Sequence, residues 1–416
     1  MARRTRRATR RLLAALIAGG VLAAAILSSS CAPRPRDTQA PSEVTTPSGE
    51  VRPARVLLAD DAETVRLAVT GPYSISLRLP SGKAKGGPSV LAQGASLPAC
   101  TARATANALI VGDRHFPDAA VAIACQEPGS LSVDGRRYRG DLVLRRSGPD
   151  KLSAINLVLI DDYLYGVLGS ETYAAWPPAA VEAQAIAARS YAMWRMADRR
   201  DGAFDLYASS QDQNYQGMAK EDPRLAAAVD RTAGLVLLYQ MRLFRCYYHS
   251  TCGGSTESVE NVFPDPPLLP LSAVPCSYCR GSKHFAWTRE IPKAELAESL
   301  RAKGLSVPQL VSLEASQRTE CRRVQEVAIE TGRGTVTIPA STFRLAVGPS
   351  RLPSTFFDIE DKGASIEFQG HGWGHGVGMC QWGAKGMAEA NYTAAEILRH
   401  YYPGSELRRL YERRGS

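Results

Sequence analysis

The stretch AINLVLIDDYLYGVLGSETYAAWPPAAVEAQAIAARSYAMWRM, residues 154–196, carries the reading of the fold. AINLVLI is a short, strongly apolar run of strand type, and it leads directly into a different rhythm. Tyr163, Leu164, Val167 and Leu168 recur at helical spacing, with Asp161 or Asp162 placed to cap a short helix. Glu171 then stands at or just past that helix's end. The paired prolines 177 and 178 suit the start of a second helix, in which Val181, Ala185, Ala188 and Ala192 form a small-residue face for close packing.

Upstream, residues 55–146 alternate short β-type runs such as TVRLAVT, YSISLRL, AVAIAC and DLVLRR with Gly and Pro turns, the pattern of an antiparallel β region. Downstream come a helix near residues 222–231, strands GLVLLY and LFRCYY, a surface helix PKAELAESLRAKG, a hairpin from RRVQEVAIET and RGTVTIP, and helices near 384–390 and 393–401. Sheet first and separate helices later argue an α+β fold. We expect a β-rich portion over residues 54–150 and a mixed helix and strand core over 151–416.

The N-terminus has a different purpose. Residues 1–31 run from six arginines through an apolar Leu and Ala stretch to three serines and Cys31, the layout of an export signal. Cys31 follows small residues, as in a lipoprotein signal, although Ser28 stands where Leu is usual. Lipidation at Cys31, plain export and membrane tethering all fit. Residues 32–53, rich in Pro, Ser and Thr, read as a flexible spacer. The formal net charge is +9, and the six leader arginines account for most of it. The basic balance is therefore targeting, and it excludes nucleic acid as the expected partner.

Three stretches hold the candidate chemistry. Glu171, beside Tyr173 and Trp176, is a lone carboxyl whose partial burial would raise its pKa toward that of a general acid; a solvated helix end is the plainer reading. HSTC and CSYC supply His249, Cys252, Cys276 and Cys279, a tetrahedral zinc pattern that in an oxidising compartment also reads as a disulfide. Cys100 and Cys125 are open to the same pairing. No organic cofactor is indicated.

The third stretch, GHGWGHGVGMCQWGA at 370–384, places His371 and His375 at a metal-binding helical offset. Alternate glycines at 372, 374, 376 and 378 argue against that helix, since each costs about 1 kcal/mol relative to Ala. A looped chain in close backbone contact suits them better, with Trp373 and Trp382 as flat faces for sugar rings or bases.

Taken together, YLYGVLGSETYAAWPPAAVEAQAIAARSYAMWR, SSQDQNYQG, YYHSTCGGSTESVENVF and GHGWGHGVGMCQWGAKGMAEANYTAAEILRHYYPGSEL resemble, in order, the signature segments of the SpoIID/LytB family of sporulation proteins. YRGDLVLRR resembles its N-terminal β portion. The resemblance implies a lytic transglycosylase of peptidoglycan glycan strands stripped of stem peptides, with Glu171 as the acid and base. It also implies an exported protein of the cell envelope.

By motif match, Gln184, Arg189, Gln213, Tyr215, His375 and Gln381 would line the groove or support it, and His375 would contact substrate or orient Glu171. Some members carry zinc near the groove, which adds weight to HSTC; others lack these cysteines. Two departures stand out: Thr172 and Tyr173 follow Glu171 where Met-Pro is common, and Cys380 replaces a frequent Ser and reads as a packed thiol. The alternative reading is a non-catalytic glycan-binding modifier that stimulates a separate cell-wall amidase, as the LytB name implies. A zinc amidase or peptidase is a third, and it lacks a convincing general base.

Overall fold

The computed structural model describes residues 51–77, 89–117, 119–126 and 129–412. The expected export signal and nearly all of the spacer lie outside the described residues. Within them the fold is α+β, with two large sheets built almost entirely from residues before 159 and the α-helices, with several smaller sheets, after it.

The alternating β segments form two sheets. The seven-stranded sheet runs in the spatial order Leu206–Tyr207, Ala54–Ala62, Leu152–Val158, Asp141–Arg146, Ala120–Cys125, Tyr73–Leu77, Val90–Gly94. The six-stranded sheet centres on Thr64–Thr70, paired antiparallel with Leu97–Ala104 and Ser130–Val133. Inward residues of both, including Val65, Ile75, Ile123, Leu131 and Leu144, share one core. The apolar run beginning at residue 154 joins the seven-stranded sheet within Leu152–Val158, pairing antiparallel with Ala54–Ala62, so the β region extends past residue 150. Cys100 and Cys125 lie on different sheets, and no disulfide is formed among the described residues.

Helices follow as α1 (Ile160–Glu171), α2 (Pro178–Asp198), α3 (Pro223–Arg231), α4 (Lys293–Ala302), α5 (Ala340–Val347), α6 (Gln381–Glu389) and α7 (Ala394–Tyr401). α1 starts two or three residues earlier than expected, with Leu159 at its cap position and Asp161 and Asp162 in the first turn, where the helix dipole favours them. α2 opens on Pro178, as the paired prolines predict. Its small face is buried, and so are Ala183, Ile186 and Ala187, because α1, α3, α6 and α7 pack around it. The expected strand LFRCYY reduces to two residue pairs, Arg242–Leu243 and Tyr248–His249. Among the described residues no helix is long and apolar enough to cross a membrane.

Residues 286–371 form a body of their own, which the sequence reading did not anticipate. Two three-stranded sheets and the helices α4 and α5 enclose a separate core around Leu296, Leu300, Val327, Ile329, Phe343 and Phe368. The expected hairpin, Val324–Thr331 with Gly334–Pro339, is part of it. Arg323, from a turn of this body, is fully buried, and its guanidinium donates to the carbonyl of Cys252 at 2.8 Å. The insertion therefore reaches into the chain that carries the cysteines.

Candidate functional site

α1 ends at Glu171, and the residues before it explain how the carboxyl is held. Gly166 and Gly169 give that helix a flat side: a Cβ at either position would collide with the carbonyls of Gly217 and Lys220. The loop 213–220 can therefore lie against the helix, and the backbone N–H of Asn214 donates to Glu171 Oε1 at 3.0 Å. Burial pushes the Glu171 carboxyl above the ordinary carboxylate range, and the bond from Asn214 opposes this. The negative end of the helix dipole acts in the same direction as burial.

Behind the carboxyl runs a buried polar chain. Tyr163 Oη donates to Gln213 Oε1 at 3.1 Å, and Gln213 Nε2 donates to Tyr248 Oη at 2.9 Å. Burial, with the charge of Glu171 adding to it, keeps the Tyr248 hydroxyl protonated far above neutral pH. Gln381, the first residue of α6, donates to the backbone carbonyl of Glu171 at 2.9 Å and to Gln184 Oε1 at 3.4 Å. Gln184 Nε2 and Thr172 Oγ1 are buried beside them without a protein partner.

An aromatic row begins two residues after Glu171. Tyr173 is 62% exposed, and its ring is 5.3 Å from that of Trp176, which is 5.5 Å from Trp382. Trp382 thus joins the site. Trp373 does not: its ring packs on His284 at 4.2 Å.

The glycine-rich stretch is a loop. Gly372, Gly374, Gly376 and Gly378 have φ of 78°, 110°, 90° and 68°, a region that favours glycine over any other residue. It lies along residues 247–252, with Thr251 and Trp373 exchanging backbone hydrogen bonds of 3.0 and 2.8 Å. His375 accepts from the Val377 N–H at Nδ1, 3.1 Å, and Nε2 lies 3.0 Å from the Tyr248 carbonyl, to which it donates. Burial lowers its pKa to about 3, with Arg323 and Arg344 adding repulsion. A neutral ring with both nitrogens bound to backbone braces the loop, and neither nitrogen is left to orient Glu171.

The other motif residues are also buried. Arg189 is fully buried, bonded to Asp161 at 2.9 Å and to the carbonyls of Val229 and Leu235. Tyr215, 1% exposed, donates to Asn156 Oδ1 at 3.0 Å inside the core. Neither presents a surface to a polysaccharide. Gln213 and Gln184 are likewise buried, close behind the carboxyl.

The sulfur ligands assemble differently from the expected set. Cys252, Cys276, Cys279 and Cys380 bring their Sγ atoms within 4.8 Å of one another, all buried. His249 is not among them: its Nδ1 lies 3.2 Å from the Val377 carbonyl, and its ring is 5.5 Å from that of His375. Cys380 takes the fourth place because Met379–Cys380 pairs in parallel with Tyr248–His249, which sets the motif's end beside HSTC. The N–H groups of Cys252 and Gly383 donate to Cys380 Sγ at 3.2 and 3.3 Å, the support a thiolate needs. Four buried thiols with such donors fit a thiolate-loving metal. The spacing in the sequence, two close pairs, had no signal for a lone cysteine 101 residues beyond Cys279; the sulfur count was the available hint.

The fold thus combines mixed sheets and helices with a carboxyl raised by burial, an aromatic row and a buried cluster of four sulfurs. The chain matches the family described as Stage II sporulation protein (SpoIID) over residues 149–239, and a domain of unknown function (DUF8618) over residues 277–378, which encloses the inserted body. It is 32% identical over 287 residues to an uncharacterized protein of Brachyspira hyodysenteriae, covering 68% of this chain and 76% of that one. It is also 29% identical over 274 residues to the stage II sporulation protein D of Bacillus amyloliquefaciens, covering 61% and 75%. The amidase enhancer of Bacillus subtilis is 25% identical over 331 residues, 67% of this chain and 45% of that protein. The chain belongs to the SpoIID/LytB family.

Proposed function

We propose that this protein is a lytic transglycosylase acting on peptide-free peptidoglycan glycan strands, with Glu171 as the single acid and base. The observation that carries the reading is the Glu171 carboxyl, pushed up by burial and held by the Asn214 N–H, two residues before Tyr173 at the end of an aromatic row. Protonated Glu171 gives its proton to the oxygen linking C1 of N-acetylmuramic acid to the next N-acetylglucosamine, and the C1–O bond breaks. The carboxylate then takes the proton of the muramic 6-hydroxyl, whose oxygen closes on C1 as a 1,6-anhydro ring. No water is consumed and Glu171 ends as it began, so one carboxyl suffices where hydrolases use two.

The supports have defined parts in this scheme. Gln381 fixes the backbone of Glu171, and Tyr163, Gln213 and Tyr248 form the polar wall behind it. Gln184, Arg189, Tyr215 and His375 hold these elements in place. The metal that the four cysteines suit best is zinc, in a closed structural site, because four protein sulfurs leave no position for substrate. Such a site would fix the start of α6, and with it Gln381 and Trp382.

Purified protein incubated with peptide-free strands should yield anhydro-muramyl ends by mass spectrometry. Their persistence in Glu171→Gln overturns the role of Glu171, and reducing muramic ends would mean hydrolysis. A second reading rests on the amidase enhancer relative: a glycan-binding stimulator of a cell-wall amidase. No cleavage, with a rise in the activity of an added amidase, would establish it. Export to the envelope through residues 1–31, with or without a lipid at Cys31, belongs to either reading.

A further inference from the structure

The aromatic row continues into a cation. Lys385 lies three residues after Trp382 on the same face of α6, with its ammonium 5.4 Å from the Trp382 ring centre. The row runs Tyr173, Trp176, Trp382, Lys385, beginning two residues after Glu171 in the chain, and Gln381 ties the helix bearing the last two to the Glu171 backbone. Tyr173 at the end of the row is 62% exposed, so its ring is accessible to a ligand. Flat rings accept the apolar faces of pyranoses, and a cation at the end of the row asks for an anionic group. Among the described residues Lys385 pairs with Glu389, a partly exposed (i, i+4) contact that a ligand carboxylate can replace at little cost.

Resting on the function proposed above, we propose that this row is a saccharide subsite in which Lys385 recognises the free lactyl carboxylate of a muramic acid residue. That carboxylate is an anion only where the stem peptide has been removed; with the peptide attached the same carbon is a neutral amide. Lys385 therefore selects peptide-free strands by charge, while Trp176 and Trp382 bind either kind through their rings.

The test compares peptide-free glycan strands with the same strands after conversion of the muramyl carboxyls to N-methylamides. Binding is measured calorimetrically on Glu171→Gln protein, so that cleavage does not intervene. The acid strands should bind about fivefold more tightly at low salt, the scale of one partly exposed ion pair, and the difference should fade near about 0.5 M salt. Lys385→Met should remove the preference, Glu389→Gln should enlarge it, and Trp382→Ala should weaken both strands alike. Circular dichroism checks that each variant is folded.

Equal binding of the two strands, or a preference that survives in Lys385→Met, overturns the subsite. A persistent preference with no anhydro ends from the unmutated protein overturns the transglycosylase reading and leaves the subsite standing. An affinity unchanged in Trp382→Ala removes the rings from it.

Discussion

Gln381 Nε2 donates to the backbone carbonyl of Glu171 at 2.9 Å, although 210 positions separate them in the chain. The bond joins the last residue of α1 to the first of α6, and so couples the glycine-rich loop and the sulfur cluster to the carboxyl. Gln381→Ala should cost about 1 kcal/mol of stability, the worth of one neutral hydrogen bond. Because it frees the backbone under the acid, kcat on peptide-free strands should fall about tenfold with KM little changed. An unchanged kcat would show that α1 positions Glu171 without help from α6.

Glu171 also makes a prediction about stability. Its folded-state pKa is raised, so below the usual glutamate value both folded and unfolded chains are protonated and folding pays no penalty. As pH rises through the folded pKa, the native state must ionise a buried carboxyl, and stability is lost relative to a neutral side chain. Glu171→Gln should therefore melt higher than the unmutated protein at pH 7 and at the same temperature below about pH 4. The activity of the unmutated protein should decline over the window in which the gap opens. A melting difference independent of pH would sink this account.

Arg189 is placed as a clamp, and a clamp and a substrate contact have different signatures. Arg189→Met leaves Asp161 with only the Tyr411 hydroxyl, and should destabilise by about 3 kcal/mol. Adding Asp161→Asn should recover part of that loss in denaturant titrations. A stable Arg189→Met protein with a raised KM would instead place the guanidinium on the substrate.

The sulfur cluster separates Cys380 from His249. Cys380→Ser should lower bound zinc, measured by elemental analysis, and lower the melting temperature, whereas His249→Gln should keep full metal content. The opposite pattern would restore the histidine as ligand. Chelation should act on melting before it acts on chemistry, since four sulfurs leave no site for substrate.

Local patterns were sufficient for much of this protein. The apolar run at 154–160, the helical spacing of Tyr163, Leu164, Val167 and Leu168, and the Pro-Pro start of α2 each depend on near neighbours, so strand and helices were legible. The alternate glycines likewise ruled out a helix from their own conformational cost. The inserted body at 286–371 was not legible as a unit. Its hairpin and its helix α4 look like any others, and only their shared core sets them apart.

Sequence alone determined most element types, the α+β class and the lone carboxyl Glu171, because those follow from periodicity and side-chain chemistry. Tertiary structure decided partners. It grouped Cys380, and not His249, with the other three cysteines, gave Glu171 an amide from Asn214, buried Arg189 and Tyr215, and lined up Tyr173, Trp176, Trp382 and Lys385. Each of these depends on which segments meet across long stretches of chain, and that is set by packing around α2, which no local spacing records.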